Sequence, residues 1–293
     1  MNLTPNSFSD GNLHFNKTSI KDYLIQSDFD KLIFDFGMES TAPMNQSIDL
    51  ETEKDRFNRF FLDIESYLIT SKKSPLIVSI DTYRPAFFKY AYDLIKEKNH
   101  LAHVIFNDVS GVVDVELFAV LKSCPDSLYV FTHNRIPNRL EMHNHMKYAS
   151  ENPQVIDEVI QRFNEINAIF EGHDLASRLI FDPGFGFSKT FHENWQIIKQ
   201  MNSFEKKYIE KNLSKFPLVI GLSKKSFLKK AFESEADPFY ASEFLHFEII
   251  KNLLKTSSLS FIFRVHHFLL PDLAQKSLQF DSGIEEGLKT FQN

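Results

Sequence analysis

Seven short apolar runs punctuate this chain, and each stops at a polar residue or a glycine. Residues 31–34 stop at Asp35, 75–80 at Asp81, 103–106 at Asn107 and 128–131 at Thr132. Residues 179–181 stop at Asp182, 217–220 at Gly221 and 261–263 at Arg264. Near-continuous runs of Ile, Val, Leu and Phe are what strands buried on both faces look like. Between them lie amphipathic, helix-length segments at 50–69, 85–98, 153–170, 190–204 and 239–255. Strands alternating with helices predict a parallel α/β fold. Polar residues gathered at the C-terminal ends of the strands predict a (β/α)8 TIM barrel, whose chemistry sits on that face. A length of 293 residues fits one such domain, 1–293. Residues 1–11 carry turn chemistry, Thr4-Pro5 and then Asp10-Gly11, so the first barrel strand is expected to be truncated or missing.

Composition excludes several functions. A net charge of −6 argues against a nucleic-acid or membrane surface, which would favour a basic face. The single cysteine, Cys124, rules out an internal disulfide, fits a reducing compartment and is expected at a buried helix end. There is no apolar run long enough to cross a membrane, and the N-terminus is polar from its fourth residue, so a cytoplasmic protein is expected. The 31 phenylalanines are expected to fill the layers between helices and sheet.

The most telling stretch is Asp182-Pro183-Gly184-Phe185-Gly186-Phe187-Ser188-Lys189-Thr190. A carboxylate ends a buried strand, two glycines permit a turn closed to other residues, and an aromatic ring and a cation follow. That combination suits a flat, polar, anionic ligand. A plainer reading is a strand-to-helix turn with Thr190 as the N-cap of the next helix.

Taken with its counterparts, this stretch resembles dihydropteroate synthase, the pterin-binding barrel enzyme of folate synthesis. The counterparts are residues 2–11, 35–43 (Asp-Phe-Gly-Met-Glu-Ser-Thr-Ala-Pro), 79–83, 107–111, 223–227 (Ser-Lys-Lys-Ser-Phe) and 264–266 (Arg-Val-His). They follow the family's order across nearly the whole chain. The resemblance implies condensation of dihydropterin pyrophosphate with p-aminobenzoate to dihydropteroate and pyrophosphate. It implies that Asp81, Asn107, Asp182 and Lys225 hold the pterin, and that Asn2, Arg264 and His266 hold the pyrophosphate, with Asn2 near a Mg²⁺. Phe187 and Lys225 would line the p-aminobenzoate site, with Thr41 and Ser226 as further loop contacts. A homodimer built on late helices is also implied. The residue types suit these tasks: a carboxylate accepts paired ring N–H groups, an amide matches a mixed edge, and cations stabilise a departing pyrophosphate.

The chain departs from the family pattern in places. Ala42 stands where Arg is usual, Met38 and Ser188 where Gly is usual, Asn6 where Asp is usual and Lys224 where Arg is usual. Thr132 and Asn134 replace methionines, and His267 replaces Asp. Two alternatives therefore stay open: a catalytically impaired or regulatory pterin-binding homologue, and a pterin-dependent methyltransferase. Asp35 and Asp108 read either as loop ties or as site groups. Glu39 reads as a loop anchor rather than an acid or base, and Arg264 either faces the pyrophosphate or pairs with a rim carboxylate. His133, His143 and His145 lack a cysteine or acidic partner at fixed spacing, and His143 and His145 are expected in a loop. Arg84, Lys224 and residues 2–16 are the candidates to replace the missing arginine.

Overall fold

The computed structural model of the chain describes residues 33–41, 45–70, 76–231 and 238–265. Asn2, the expected stub of a first strand, Ala42 and His266 lie outside the described residues. The chain divides into two compact units, Met1–Ala149 with Phe170–Ile180, and Ser150–Ile169 with Phe181–Asn293.

The first unit alternates strand and helix: β1 (Ile33–Gly37), α1 (Leu50–Thr70), β2 (Ile77–Asp81), α2 (Pro85–Lys98), β3 (His103–Asp108), α3 (Val115–Ser123) and β4 (Leu128–Thr132). The four strands pair in parallel in sequence order. Their register aligns Gly37 with Asp81 and Asp81 with Asn107, so two of the expected polar strand ends stand side by side, while Asp35 faces Ser79 and Asn107 faces Val130. Phenylalanines fill the layer between helices and sheet, as composition predicted. Phe36 meets Phe60 at 4.6 Å, Phe88 stacks on Phe106 at 4.5 Å, and Phe106 meets Tyr129 edge-on at 5.6 Å. Burying each such ring stabilises the fold by roughly 1.5–3 kcal/mol. Helix starts follow local rules: Pro85 occupies the first turn of α2, and the Asp114 carboxylate accepts from the Leu117 N–H at 2.9 Å to cap α3. Cys124 caps the other end of α3 and is buried, as expected.

The second unit holds most of α4 (Val155–Glu171), the end of β5 (Leu179–Asp182), α5 (Phe191–Lys199), α6 (Met201–Glu210), β6 (Leu218–Ile220), α7 (Ser226–Ala231), α8 (Pro238–Thr256) and β7 (Phe261–Phe263). Here too the strands are parallel, β5 beside β6 and β6 beside β7. Phe163 of α4 stacks on Phe181 of β5 at 4.4 Å and meets Tyr208 of α6 edge-on.

Three boundaries differ from expectation. The helix expected over 190–204 is two helices, broken at Gln200, whose ψ of 30° turns the chain so that Met201, Phe204 and Tyr208 are buried. β1 overruns its apolar stretch to Gly37, which places Asp35 in mid-strand. His143 and His145 lie on a ten-residue 3-10 helix, Arg139–Tyr148, instead of a loop; the Asn138 side chain caps it by accepting from the Leu140 N–H.

Candidate functional site

In the first unit the polar groups at the strand ends are tied to one another. The Asp35 carboxylate accepts from the Ser79 hydroxyl at 2.7 Å and from the Asn107 amide at 3.1 Å, across three strands. The Asn107 carbonyl accepts from the Thr82 N–H at 3.2 Å. Asp35 therefore positions Asn107: it fixes the amide so that its oxygen has a set direction. Asn107 is buried, and its register partner Asp81 keeps part of its surface open. Thr41, beyond β1, is half-buried.

Glu39 is an anchor, as the sequence indicated. It is buried and accepts from the Ile48 N–H at 3.0 Å, pairs with His143 Nε2 at 2.8 Å, and pairs with Arg84. Burial pushes its carboxyl up, but the His143 and Arg84 hydrogen bonds outweigh that and hold it below the usual range. Arg84 also pairs with buried Glu53 at 2.8 Å and donates to the Ile48 carbonyl at 2.5 Å. Glu53 is pushed up to about 7 by burial, against the pull of Arg84. Arg84 is thus committed to two carboxylates. As a replacement for the arginine missing at position 42 it would have to leave both.

Asp108 is a loop tie. Fully buried, it accepts from the Ser110 N–H and hydroxyl, the Tyr129 hydroxyl and Arg139 Nη1 at 2.6–3.1 Å. Arg139 in turn donates to the carbonyls of Tyr83 and Val112 and to Asp114. The tie holds the turn after β3 against β4, where Gly111 adopts φ +66. A Cβ at Gly111 would sit 2.2 Å from the Thr132 carbonyl oxygen, so the approach admits glycine alone. Arg139 was invisible to sequence reasoning, because nothing in its neighbourhood marks it as a partner of a residue 31 positions away.

The second unit gathers cations around a carboxylate of its own. The Asp182 carboxylate, at the end of β5, accepts from the Gly184 N–H at 2.7 Å. Burial raises its pKa, outweighing that bond and the charges of Lys225, Lys189 and Arg264, which pull it down. These cations are the electrostatic neighbours of one carboxylate, and two of them were expected at the site. Lys225 Nζ lies over the Phe187 ring, 4.5 Å from its centroid. Gly186, at φ +79, lets the lysine pass: a Cβ there would meet Lys225 Cδ at 3.3 Å. Arg264, directly after β7, donates its N–H to the Ile220 carbonyl, and its side chain runs alongside Gly221. Ser226, at the start of α7, is exposed.

The turn between Asp182 and α5 is tied by side-chain hydrogen bonds. Lys189 is buried, with Nζ donating to the Gly184 carbonyl at 3.1 Å, and Asn194 Oδ1 accepts from the Gly186 N–H at 2.8 Å. Thr190 caps α5 in a complete capping box with Glu193, as the sequence predicted. Ser188, where the family usually has glycine, stands at φ +46 and is buried. The backbone has kept the left-handed conformation that the glycine would favour, at about 1–2 kcal/mol of strain.

Residues 1–255 match the family described as pterin binding enzyme. The chain is 30% identical over 233 residues to the mitochondrial folate synthesis bifunctional protein of Pisum sativum, an alignment covering 78% of this chain and 42% of that protein. It therefore spans less than half of that relative's length. Among solved structures it resembles dihydropteroate synthase from Anaplasma phagocytophilum with bound 6-hydroxymethylpterin-monophosphate, at TM-score 0.69 and 21% identity over 95% of this chain and 96% of the other. It also resembles dihydropteroate synthase from Thermus thermophilus in complex with 4-aminobenzoate, at TM-score 0.66 and 21% identity over 96% and 92%. At that identity the likeness shows the fold, and it agrees with the fold class read from the sequence.

Proposed function

The chain belongs to the pterin-binding enzyme family, and from that premise we propose that it is a dihydropteroate synthase, joining dihydropterin pyrophosphate to p-aminobenzoate. The observation that carries the proposal is Asp182 at the end of β5, flanked by Lys225, Lys189 and Arg264. A carboxylate among cations accepts the paired N–H donors of a pterin edge while Arg264 faces an anionic tail, Lys189 being buried against the Gly184 carbonyl. The family resemblance assigns Asn107, whose amide Asp35 holds, and its register neighbour Asp81 to the pterin as well. The ligands of the two solved relatives, a pterin monophosphate and 4-aminobenzoate, fit this reading.

In the proposed reaction the bond from the exocyclic carbon to the pyrophosphate oxygen breaks, and its electron pair leaves with pyrophosphate. The electron-rich ring tolerates the charge that develops on the carbon. The amine of p-aminobenzoate then forms the C–N bond and releases a proton. Arg264 stabilises the leaving group more as it gathers charge than in the bound substrate, while Lys225 holds the pterin beside Phe187. The ring of Phe187 offers the aryl amine an apolar face.

Mg²⁺ would neutralise pyrophosphate charge. Asn2, which we assign to it, and His266, which we assign to the pyrophosphate, lie outside the described residues. Among the described residues no group of three or more His, Cys, Asp or Glu is placed to hold a metal. A cytoplasmic location belongs to the same proposal, and no helix among the described residues is long and apolar enough to cross a membrane.

The test is a coupled assay for pyrophosphate release from dihydropterin pyrophosphate, with and without p-aminobenzoate. Amine-dependent release is expected, together with loss of pterin binding by calorimetry in Asp182→Ala. Release absent from the natural protein would leave a second reading, a pterin-binding homologue without turnover, which Ala42 favours. Ala42→Arg is expected to raise turnover about tenfold or more, a gain of roughly 1.4 kcal/mol. Full activity unchanged by that substitution would show that the arginine is dispensable here.

A further inference from the structure

We propose that Glu243 of α8 is a positioning residue for Lys225, acting through the main chain of the turn between β6 and α7. Glu243 belongs to no strand end and to no motif of the sequence. It is 8% exposed, and both of its carboxylate oxygens accept from the Ser223 hydroxyl, at 3.0 and 3.2 Å. Its Oε1 also accepts from the Lys224 N–H at 3.1 Å. Lys224 stands at φ +60, a left-handed conformation that a lysine keeps only when its surroundings hold it there. The bonds from Glu243 supply that hold on both sides of the peptide between Ser223 and Lys224.

The next residue is Lys225. Its N–H donates to the Leu222 carbonyl at 3.2 Å, and its own carbonyl accepts from the Leu228 N–H at 3.1 Å. With the backbone fixed before and after it, the Cα–Cβ bond of Lys225 has one direction. That direction carries the ammonium past Gly186 to the face of Phe187. Releasing Lys224 from its left-handed conformation would turn the Lys225 side chain off the ring and away from Asp182. A carboxylate is the suited group for the clamp, because it accepts from a hydroxyl and an N–H at once and charge strengthens both bonds. An amide oxygen in the same place would keep both bonds in weaker form.

The test has one arm that needs no substrate. Reductive ¹³C-methylation of the full chain keeps the lysine charge and gives each lysine an NMR signal. The Lys225 signal is identified by its loss in Lys225→Arg. In the natural protein it is expected upfield, in the ring current of Phe187. Glu243→Ala is expected to move it to the position of exposed lysines with the circular dichroism spectrum unchanged, and Glu243→Gln to return it. If Glu243→Ala does not fold, Ser223→Ala removes one donor and is expected to shift the signal in the same direction.

The second arm rests on the pterin reading and uses calorimetry with 6-hydroxymethylpterin monophosphate. Affinity is expected to fall about tenfold in Glu243→Ala and less than about twofold in Glu243→Gln. In a Lys225→Ala background the same Glu243→Ala change is expected to cost less than about twofold, because the residue it positions is gone. A Lys225 signal unmoved by the alanine variants, or an equal loss of affinity with and without Lys225, overturns the proposal. An upfield signal that responds as expected in a protein that does not bind the pterin would uphold the positioning role and sink the proposed function instead.

Discussion

Single residues in this chain divide into those whose role follows from type and place and those whose role follows from burial. Asp182 and Lys225 belong to the first kind: a carboxylate ending a buried run and a lysine in a strand-end loop announce themselves. His246 belongs to the second. It lies fully buried on α8, with neither ring nitrogen hydrogen-bonded. Burial pushes its pKa down to about 4, against the raising influence of Glu243 one turn away. In the folded chain it is neutral, while in the unfolded chain it takes a proton near its ordinary value of about 6.5. Its contribution to stability is therefore intact above that value and is lost as pH falls toward 4, by up to about 3 kcal/mol. Glu53 runs the other way, since its pKa is raised to about 7 and it favours the folded state at the lower end of that range. Comparing the natural protein with His246→Leu isolates the histidine. Urea unfolding at pH 7 and pH 4.5 is expected to show a smaller acid loss of stability in the variant. Equal losses in both proteins would mean that His246 is protonated in the fold.

Elements show how far periodicity reaches. The helices at 85–98 and 239–255 lie within a residue of expectation, and each opens on a proline, Pro85 and Pro238, whose effect is local. The break at Gln200 was missed because the amphipathic pattern runs through it; only the choice of which face packs against Phe163 and Phe181 turns α6 away from α5. Asp35 looked like a strand end and is mid-strand, because the hydrogen bonds to Ser79 and Asn107 let a carboxylate continue the sheet. The turn after β3 makes a sharp prediction. Gly111→Ala would force a Cβ into the Thr132 carbonyl at a positive φ, and backbone rather than a flexible side chain would have to yield. We expect destabilisation of about 3 kcal/mol or more, read as a lower denaturant midpoint at unchanged slope. A loss below about 1 kcal/mol would show that the turn can relax.

For the molecule as a whole, we propose a homodimer that uses the late helices. Phe244 and Leu254 are 47% and 41% exposed on α8, about three helical turns apart, with the ring of Phe247 beside that of Phe244. Such a surface gains by burial against a second copy. Light scattering at micromolar concentration is expected to give twice the chain mass of 34.2 kDa. A clean monomer, or a dimer that survives Phe244→Glu unchanged, would remove α8 from the interface.

The sequence by itself determined the fold class, the order of the strands with the longer helices between them, and the strand-end motifs that carry the family. All of these rest on short-range patterns: apolar runs, helical spacing and turn residues, whose physics acts over a few positions. Only the tertiary structure decided which groups are held and by what. It made Glu39 and Asp108 anchors, committed Arg84 to two carboxylates, joined Arg139 to Asp108 and tied Glu243 to Ser223 and Lys224. Those choices turn on buried polar groups finding partners tens of residues away, where an unmet hydrogen bond is costly and no periodicity records the match.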